Sequence, residues 1–177
     1  MKRIGIIGTG QIAQAHLRQW EEIDEIEVHI ACDLDEDALA ATCSQFGIPH
    51  RTGDFRELLK CDDLDAVDVC LHNNLHAPAA IEALRAGKHV YCEKPIAGSY
   101  ADGKAMLAAS AEAGRMLHVQ LARLYLDATL AAKKVIDAGE LGKLYTARAT
   151  EYRRRGRPYV DGYGTARFVQ REQSGGG

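Results

Sequence analysis

The chain has 177 residues, of which 46% are hydrophobic and 27% charged, with a formal net charge of −3. A chain of this length buries one sizeable core, so we expect one domain, or one domain and part of another. The slightly acidic balance gives no reason to expect nucleic acid or an anionic membrane as a partner. Since no apolar run approaches the length of a membrane span and no signal-peptide pattern precedes Lys2, we expect a cytoplasmic protein.

Short apolar runs alternate with helical patterns along most of the chain. The runs are four to six residues long and nearly continuous in apolar character, which is typical of strands buried on both faces. They are Lys2–Ile7, Glu27–Cys32, Ala66–Leu71, His89–Cys92 and Leu117–Leu121. Repeated strand–helix–strand units of this length predict a doubly wound α/β fold with a parallel sheet.

The helices between these runs are predicted from apolar spacing and from end signals. One face of the first helix is apolar or aromatic at spacings of three and four, and its residues are Ile12, Ala13, His16, Leu17 and Trp20. Later helices are predicted from Asp35 or Glu36 to Phe46, over His76–Ala86, and from Ser99 through Ala113. Gly87 supplies a helix-ending glycine, and Ser99 with Asp102 resembles a capping box.

The pattern changes in the last third of the chain. Asp127 is predicted to cap a helix that stops at Gly139. Polar–apolar alternation over Lys143–Arg155 then predicts an antiparallel strand. Because one strand cannot make a domain, we expect a complete first domain over residues 1–123, followed by the first elements of an α/β open-sheet second domain over 124–177.

The five cysteines show no C-x-x-C pair and no zinc-type spacing. Four of them lie in or beside apolar runs, so we interpret the cysteines as buried, reduced packing residues and expect no metal centre. They are Cys32, Cys43, Cys61, Cys70 and Cys92.

A glycine-rich turn, GTGQIA, follows the first strand and opens the first helix. Its form, G-x-G-x-x-A, predicts dinucleotide binding because the strand, turn and helix occur in that order. Gly8 permits the tight turn, Gly10 lets the backbone approach a pyrophosphate, and Ala13 allows close helix–strand packing. The helix start then directs free N–H groups towards the phosphates. The cofactor-binding candidates here are Gly8, Thr9, Gly10, Gln11 and Ile12.

Asp33 stands at the end of the second strand, where a carboxylate would bond the adenosine ribose hydroxyls. The alternative interpretation is an N-terminal cap for the next helix. A 2′-phosphate near Asp33 would be repelled by up to roughly 4 kcal/mol at 4 Å and an effective dielectric of 20. Leu34 supplies no positive charge, and Asp35, Glu36 and Asp37 add negative charge. We therefore predict NAD rather than NADP as cofactor.

A Glu-Lys-Pro sequence follows the apolar run His89–Cys92. Adjacent opposite charges on a loop are usually a weak surface pair. This pair, however, falls at the carboxyl end of a parallel strand, where open α/β sheets bind ligands. A methyltransferase would also use a glycine-rich turn and an acidic residue after the second strand, but that interpretation gives Glu-Lys-Pro no role.

Three stretches, GIIGTGQIAQAHL, LHNNLHAPAAIEALRAGKHVYCEKPIA and DAGELGKLY, resemble the glucose-fructose oxidoreductase, inositol dehydrogenase and MocA family. The resemblance extends through essentially the whole chain and is most specific over His76–Ala97. It implies an NAD(P)-dependent oxidoreductase with a Rossmann-type domain and a following open-sheet α/β domain. It also implies a sugar, inositol or related polyol as substrate, oxidised at a secondary alcohol, and a homo-oligomer formed through the second-domain sheet.

The resemblance gives the Glu-Lys-Pro residues definite roles. Glu93 would accept hydrogen bonds from the ribose on the nicotinamide side, and the peptide bond before Pro95 is commonly cis in the family. Lys94 would reach a substrate hydroxyl or carbonyl and assist proton transfer, as the catalytic residue. For that its pKa should fall by roughly two to three units from about 10.4, through partial burial against the cofactor.

The family's usual Thr-Pro-Asn-x-x-His after the fourth strand is changed here to His72-Asn73-Asn74-Leu75-His76. The loop should still line the dinucleotide path, so its candidates are Leu71, His72, Asn73, Asn74 and His76. Arg123 matches a position near the family's nicotinamide and substrate pocket, although a surface arginine at a domain junction would look the same.

The C-terminal residues carry the remaining expectations. The arginine run 153–155 with Arg157 is either a solvated strand end or a site for an acidic or hydroxyl-rich substrate. In the family, glycines like those at 175–177 lead to an Asp and a His that bind substrate. Since neither follows here, the 177-residue chain is expected to bind cofactor with little turnover. The alternative function is a catalytically silent NAD-binding module, either a redox sensor or an assembly partner.

Overall fold

The computed structural model describes residues 1–150, 152 and 170–174. Its strands are β1 (Lys2–Ile7), β2 (Ile26–Cys32), β3 (His50–Thr52), β4 (Ala66–Val69), β5 (His89–Cys92) and β6 (Leu117–Val119). Its helices are α1 (Gln11–Trp20), α2 (Glu36–Phe46), α3 (Phe55–Leu59), α4 (Asn73–Arg85), α5 (Tyr100–Ala113), α6 (Asp127–Asp137) and α7 (Arg171–Ser174). The predicted arginine run and the closing glycines lie outside the described residues.

The six strands form one sheet in the order β3-β2-β1-β4-β5-β6, and each neighbouring pair is parallel. The strand order reverses between β1 and β4, so a crevice opens beyond their carboxyl ends. This arrangement confirms the predicted doubly wound α/β fold of Rossmann type.

Successive side chains of β1 point to opposite faces of the sheet, so both faces carry apolar side chains. Helices pack on each of these faces. Ile6 packs into a cluster with Leu17 of α1 and Leu39 of α2. Ile7 packs into the other cluster, which includes Leu84 of α4 and Met106 of α5. These apolar layers hold the carboxyl ends of the central strands in fixed positions, which is what a binding site requires.

The structure adds two short elements that the apolar pattern did not predict. β3 has only three residues, His-Arg-Thr, and α3 only five. β4 ends at Val69 rather than Leu71, and α4 begins at Asn73 rather than His76. The first turn of α4 is polar, so apolar spacing could not reveal it.

The predicted helix starts were confirmed only in part. Ser99 caps α5 as predicted, and Asp35 caps α2, which begins at Glu36; each side chain accepts a backbone N–H three residues on. Asp127, by contrast, does not cap α6; it is the first residue of that helix, after Leu126, and no side-chain cap forms. Ile12 was placed on the buried face of α1 but is 41% exposed, whereas its neighbour Ala13 is fully buried.

The cysteines behave as predicted: all five are free, and Cys61 alone among them is not fully buried. No helix within the described residues is both long and apolar enough to cross a membrane.

The chain forms two compact units. The first contains Met1–Gln120 and the described C-terminal residues 170–174, and the second contains the described residues between Leu121 and Phe168. In the second unit, residues 143–150 are exposed and form no strand, which corrects the described part of the predicted strand Lys143–Arg155. An alternating pattern becomes a strand only where a partner strand accepts its hydrogen bonds, and the described residues supply none here.

Candidate functional site

The predicted site residues of the first unit gather at one edge of the sheet. They follow the carboxyl ends of β1, β2, β4 and β5, which parallel pairing brings together. The residues are Gly8, Thr9, Gly10, Gln11, Ile12, Asp33, Leu71, His72, Asn73, Asn74, His76, Glu93 and Lys94. Arg123 belongs to the second unit, in a short 3₁₀ helix over Ala122–Tyr125, and its contact with a cofactor remains a prediction.

Gly8 is held where no other residue fits. Its φ is +92°, and a Cβ there would lie 2.4 Å from the Cys70 carbonyl oxygen. Its N–H donates to the Cys32 carbonyl oxygen at 2.8 Å. The turn is therefore in close contact with the end of β4 and hydrogen-bonded to the end of β2.

The start of α1 is open and uncapped, in contrast to Gly8. Gly10 is its N-cap, without a side-chain hydrogen bond, and the first turn carries no acidic residue. A Cβ built on Gly10 would have no atom within 4 Å. The free N–H groups at this helix start, together with this open space, fit a pyrophosphate.

Asp33 is bound to the glycine-rich turn. Its Oδ2 accepts hydrogen bonds from the Thr9 N–H at 2.7 Å and the Thr9 hydroxyl at 2.9 Å, and its Oδ1 accepts from the Asp35 N–H at 3.0 Å. Burial alone would raise the pKa of Asp33, but these hydrogen bonds outweigh it and lower the pKa. The alternative role as cap of α2 is wrong, since Asp35 accepts the Ala38 N–H there.

His76 links the two loops that follow β4 and β5. It is fully buried, with Nδ1 2.7 Å from the Pro95 carbonyl oxygen and Nε2 3.0 Å from the Leu71 carbonyl oxygen. Its position therefore favours a structural role over direct catalysis. In the same loop, Asn73 Nδ2 donates to the Ser174 carbonyl oxygen at 2.6 Å, a contact that sequence reasoning missed.

Glu93 and Lys94 differ sharply in burial. Glu93 is 5% exposed, whereas the Lys94 side chain is 64% exposed, with Nζ 3.9 Å from Glu93 Oε2. The Lys94–Pro95 peptide bond is cis. The burial that the sequence argument required for Lys94 is not supplied by the described residues of this chain.

A buried histidine lies behind Glu93. His16 of α1 is 3% exposed, with Nδ1 2.9 Å from Asp68 Oδ2 and Nε2 3.1 Å from Glu93 Oε1. Burial by itself would lower the pKa of His16, but the hydrogen bonds and charges of Asp68 and Glu93 outweigh it and raise the pKa to about 9. Sequence reasoning placed His16 on an apolar face and overlooked Asp68; the available signal was a charged residue in the middle of a buried strand.

Further side chains enclose this group. Trp20 Nε1 donates to Asp68 Oδ2 at 3.2 Å, the Cys70 thiol lies 3.4 Å from Asp68 Oδ1, and Tyr91 packs edge-on against the His16 ring. His16, Asp68 and Cys70 also offer metal-ligand atoms within 4.8 Å of one another. These atoms are hydrogen-bonded to each other, and burial raises the pKa of the Cys70 thiol well above its usual range, so we interpret the group as a hydrogen-bond network.

The fold and this edge define a dinucleotide-binding α/β protein, and comparison with known proteins gives its family. The family model described as "Oxidoreductase family, NAD-binding Rossmann fold" matches residues 2–121. The chain therefore belongs to this family of oxidoreductases and shares its NAD-binding Rossmann fold, which confirms the resemblance found in the sequence.

Individual relatives agree with this assignment. The chain is 32% identical to inositol 2-dehydrogenase of Salmonella paratyphi B over 144 residues, covering 80% of this chain and 43% of that protein. It is 34% identical to 4-carboxy-2-hydroxymuconate-6-semialdehyde dehydrogenase of Sphingobium over 139 residues, covering 78% and 44%. The WlbA dehydrogenase of Bordetella pertussis, solved with NADH and UDP-GlcNAcA, superimposes with a TM-score of 0.76 at 32% identity, covering 82% and 45%. The chain thus spans less than half the length of the relatives it matches.

Proposed function

We propose that this chain forms the NAD-binding part of a dehydrogenase that oxidises a secondary alcohol of a sugar, an inositol or a related polyol. The observation that carries the proposal is the meeting of the glycine-rich turn, Asp33 and the Glu93–Lys94 pair at one sheet edge, in a chain of this oxidoreductase family. Relatives named as inositol dehydrogenases support the substrate class.

Each group at this edge of the sheet binds a different part of the cofactor or substrate. The N–H groups at the start of α1 bind the pyrophosphate, Asp33 accepts the adenosine ribose hydroxyls, and Glu93 accepts those of the second ribose. A bound NAD would supply the acceptor for the hydride that leaves the alcohol carbon. Lys94 reaches outward from the edge, which suits a side chain that takes up the hydroxyl proton of a substrate held above it.

Cofactor binding is the first test. Titration of the 177-residue chain with NADH, followed by fluorescence and calorimetry, should give saturable binding. NADPH should bind at least several-fold more weakly because Asp33 repels its 2′-phosphate. Absence of NADH binding would overturn the proposal, and equal affinities would remove the Asp33 argument.

The second test concerns turnover. The 177-residue chain alone should oxidise no polyol at a rate as high as roughly 1 per second. A protein that contains this chain at the full length of its relatives should reduce NAD with a member of a panel of inositols, hexoses and sugar acids.

Matched lysine variants isolate the role of Lys94. Lys94→Met should lower turnover of the active protein by roughly 10²–10⁴-fold, the usual contribution of a positioned acid or base. Lys104→Met, at an exposed lysine on α5, should leave turnover unchanged. If NADH binds but no panel member is oxidised, the silent-module alternative replaces the dehydrogenase proposal.

A further inference from the structure

The protonation of the buried group behind Glu93 follows from its hydrogen-bond partners. The Trp20 indole N–H and the Cys70 thiol both contact Asp68, and both are donors towards a carboxylate. Asp68 is fully buried, and its Oδ2 accepts the Trp20 N–H at 3.2 Å and lies 2.9 Å from His16 Nδ1. Asp68 thus offers an acceptor oxygen to the His16 ring.

Glu93 is an acceptor as well. Its Oε2 accepts the Lys94 backbone N–H at 3.0 Å and lies 3.9 Å from Lys94 Nζ, while its Oε1 lies 3.1 Å from His16 Nε2. Each ring nitrogen of His16 thus lies within hydrogen-bond distance of an oxygen of a different acidic side chain. A neutral imidazole donates from one nitrogen alone, so the ring donates to both carboxylates only when His16 carries both protons.

We propose that His16 is a positioning residue, an imidazolium held between Asp68 and Glu93 that keeps the Glu93 carboxylate ionised and fixed beside Lys94. Its effect on catalysis rests on the proposed function, whereas its charge state does not. A carboxylate that is 5% exposed needs a partner charge, and the Lys94 ammonium is 3.9 Å away on a side chain that is 64% exposed. With His16 charged, the two carboxylates share a buried cation that lies between them.

The groups that face His16 lie on strands β4 and β5 or directly after them. Asp68 lies on β4 and Cys70 just after it, Glu93 follows β5, and the Tyr91 ring of β5 packs at 5.6 Å. The two carboxylates favour the imidazolium, and the thiol is neutral because burial raises its pKa. The raised pKa of His16, about 9, agrees with the geometry.

The charge state is tested directly on the ¹⁵N-labelled chain. Two-bond ¹H–¹⁵N correlation spectra distinguish a doubly protonated ring from either neutral tautomer, and the His16 signals are those that vanish in His16→Gln. We expect both nitrogens to be protonated at neutral pH and to lose a proton only near pH 9. A neutral His16 ring at neutral pH would overturn the proposal, whatever the chain does with NADH.

The positioning role is tested by the pH profile of NADH affinity. In the unaltered chain, affinity should fall as pH rises through about 9, when His16 loses its charge. His16→Gln should bind NADH roughly tenfold more weakly at neutral pH and show no step near pH 9. Gln cannot donate to both carboxylates. His50→Gln, at an exposed histidine on β3, should keep both the affinity and the step.

The outcomes separate the two proposals. If the unaltered chain fails to bind NADH, the proposed function falls and the spectra still decide the charge of His16. If the chain binds NADH and folded His16→Gln matches it in affinity and in pH profile, the positioning role is overturned. Circular dichroism establishes that the variant is folded.

Discussion

Asp33 and Glu93 follow strands of the same sheet and end at the same edge, but they are stabilised in different ways. Asp33 is half-buried and held by neutral donors, the Thr9 N–H and hydroxyl and the Asp35 N–H. Glu93 is buried, and its Oε1 contacts the ring of His16. The contrast follows from solvation: a carboxylate near water stays ionised with hydrogen bonds alone, whereas a buried one requires a counter-charge.

The two regions also differ in how their parts are assembled. Asp33 needs the glycine-rich turn and its own loop. Glu93 depends on α1, which carries His16, and on β4, which carries Asp68. Asp33 is therefore held by the ends of two neighbouring strands, whereas Glu93 also depends on the packing of a helix against the sheet.

The largest expected effect is at the turn that holds Asp33. Gly8→Ala should lower the free energy of unfolding by about 3 kcal/mol or more, because a positive φ costs roughly 1–2 kcal/mol and the methyl group would also strike the Cys70 carbonyl. Gly10→Ala should cost about 1 kcal/mol or less but weaken NADH binding, since its methyl group enters open space. Urea unfolding measures both variants, and equal losses would refute this account of the turn.

Stability against pH separates the two carboxylate regions. The folded-state pKa of His16 is raised from 6.5 to about 9, so its stabilisation is complete below pH 6.5 and is lost as pH rises towards 9. This shift corresponds to on the order of 3 kcal/mol. The pKa of Asp33 is lowered, so its contribution is present above 3.8 and lost as pH falls further.

Urea unfolding of His16→Gln between pH 6.5 and 9 measures the contribution of His16 to the free energy of unfolding. In this variant the free energy of unfolding should fall less steeply between pH 6.5 and 9 than in the unaltered chain. Its decrease at acid pH should be unchanged. Burial raises the pKa of Cys32 and Cys92 from 9.0 to about 12, so their unfolded forms ionise first and also lower the stability near pH 9. The thiols are the same in both proteins, so the difference between the two in how steeply the free energy of unfolding falls is assigned to His16. If the free energy of unfolding of the variant falls as steeply as that of the unaltered chain, His16 is not the group whose charge stabilises the folded state in this pH range.

The smallest effects should distinguish two neighbouring aspartates. Asp33→Asn and Asp35→Ala should each cost about 1 kcal/mol, the first through weaker hydrogen bonds to Thr9 and the second through loss of the α2 cap. Only Asp33→Asn should bring the affinities for NADH and NADPH closer together. Parallel titrations measure this, and a similar change in Asp35→Ala would assign cofactor selection to the general acidity of the loop.

Local patterns in the sequence were sufficient for much of this protein. Buried parallel strands are continuous apolar runs, so β1 and β5 were predicted with their observed ends. The turn after β1 was recognised from its G-x-G-x-x-A form between a strand and a helix, and the positive φ of Gly8 explains the first glycine of that form. Asp33 and Glu93 could be placed at the sheet edge because they directly follow such strands. The polar three-residue β3 carried no such signal, since its pairing with β2 rather than its composition makes it a strand.

The tertiary structure alone decided which residues stand behind the site. His16, Asp68 and Glu93 are separated by 52 and 25 residues in the chain, and no local pattern connects them. They meet because α1 packs across the sheet over β4 and β5, where His16 finds two carboxylates instead of the apolar neighbours that helical spacing suggests. Periodicity shows which face of a helix is buried, but the charge of a buried side chain depends on the partners that packing brings to it.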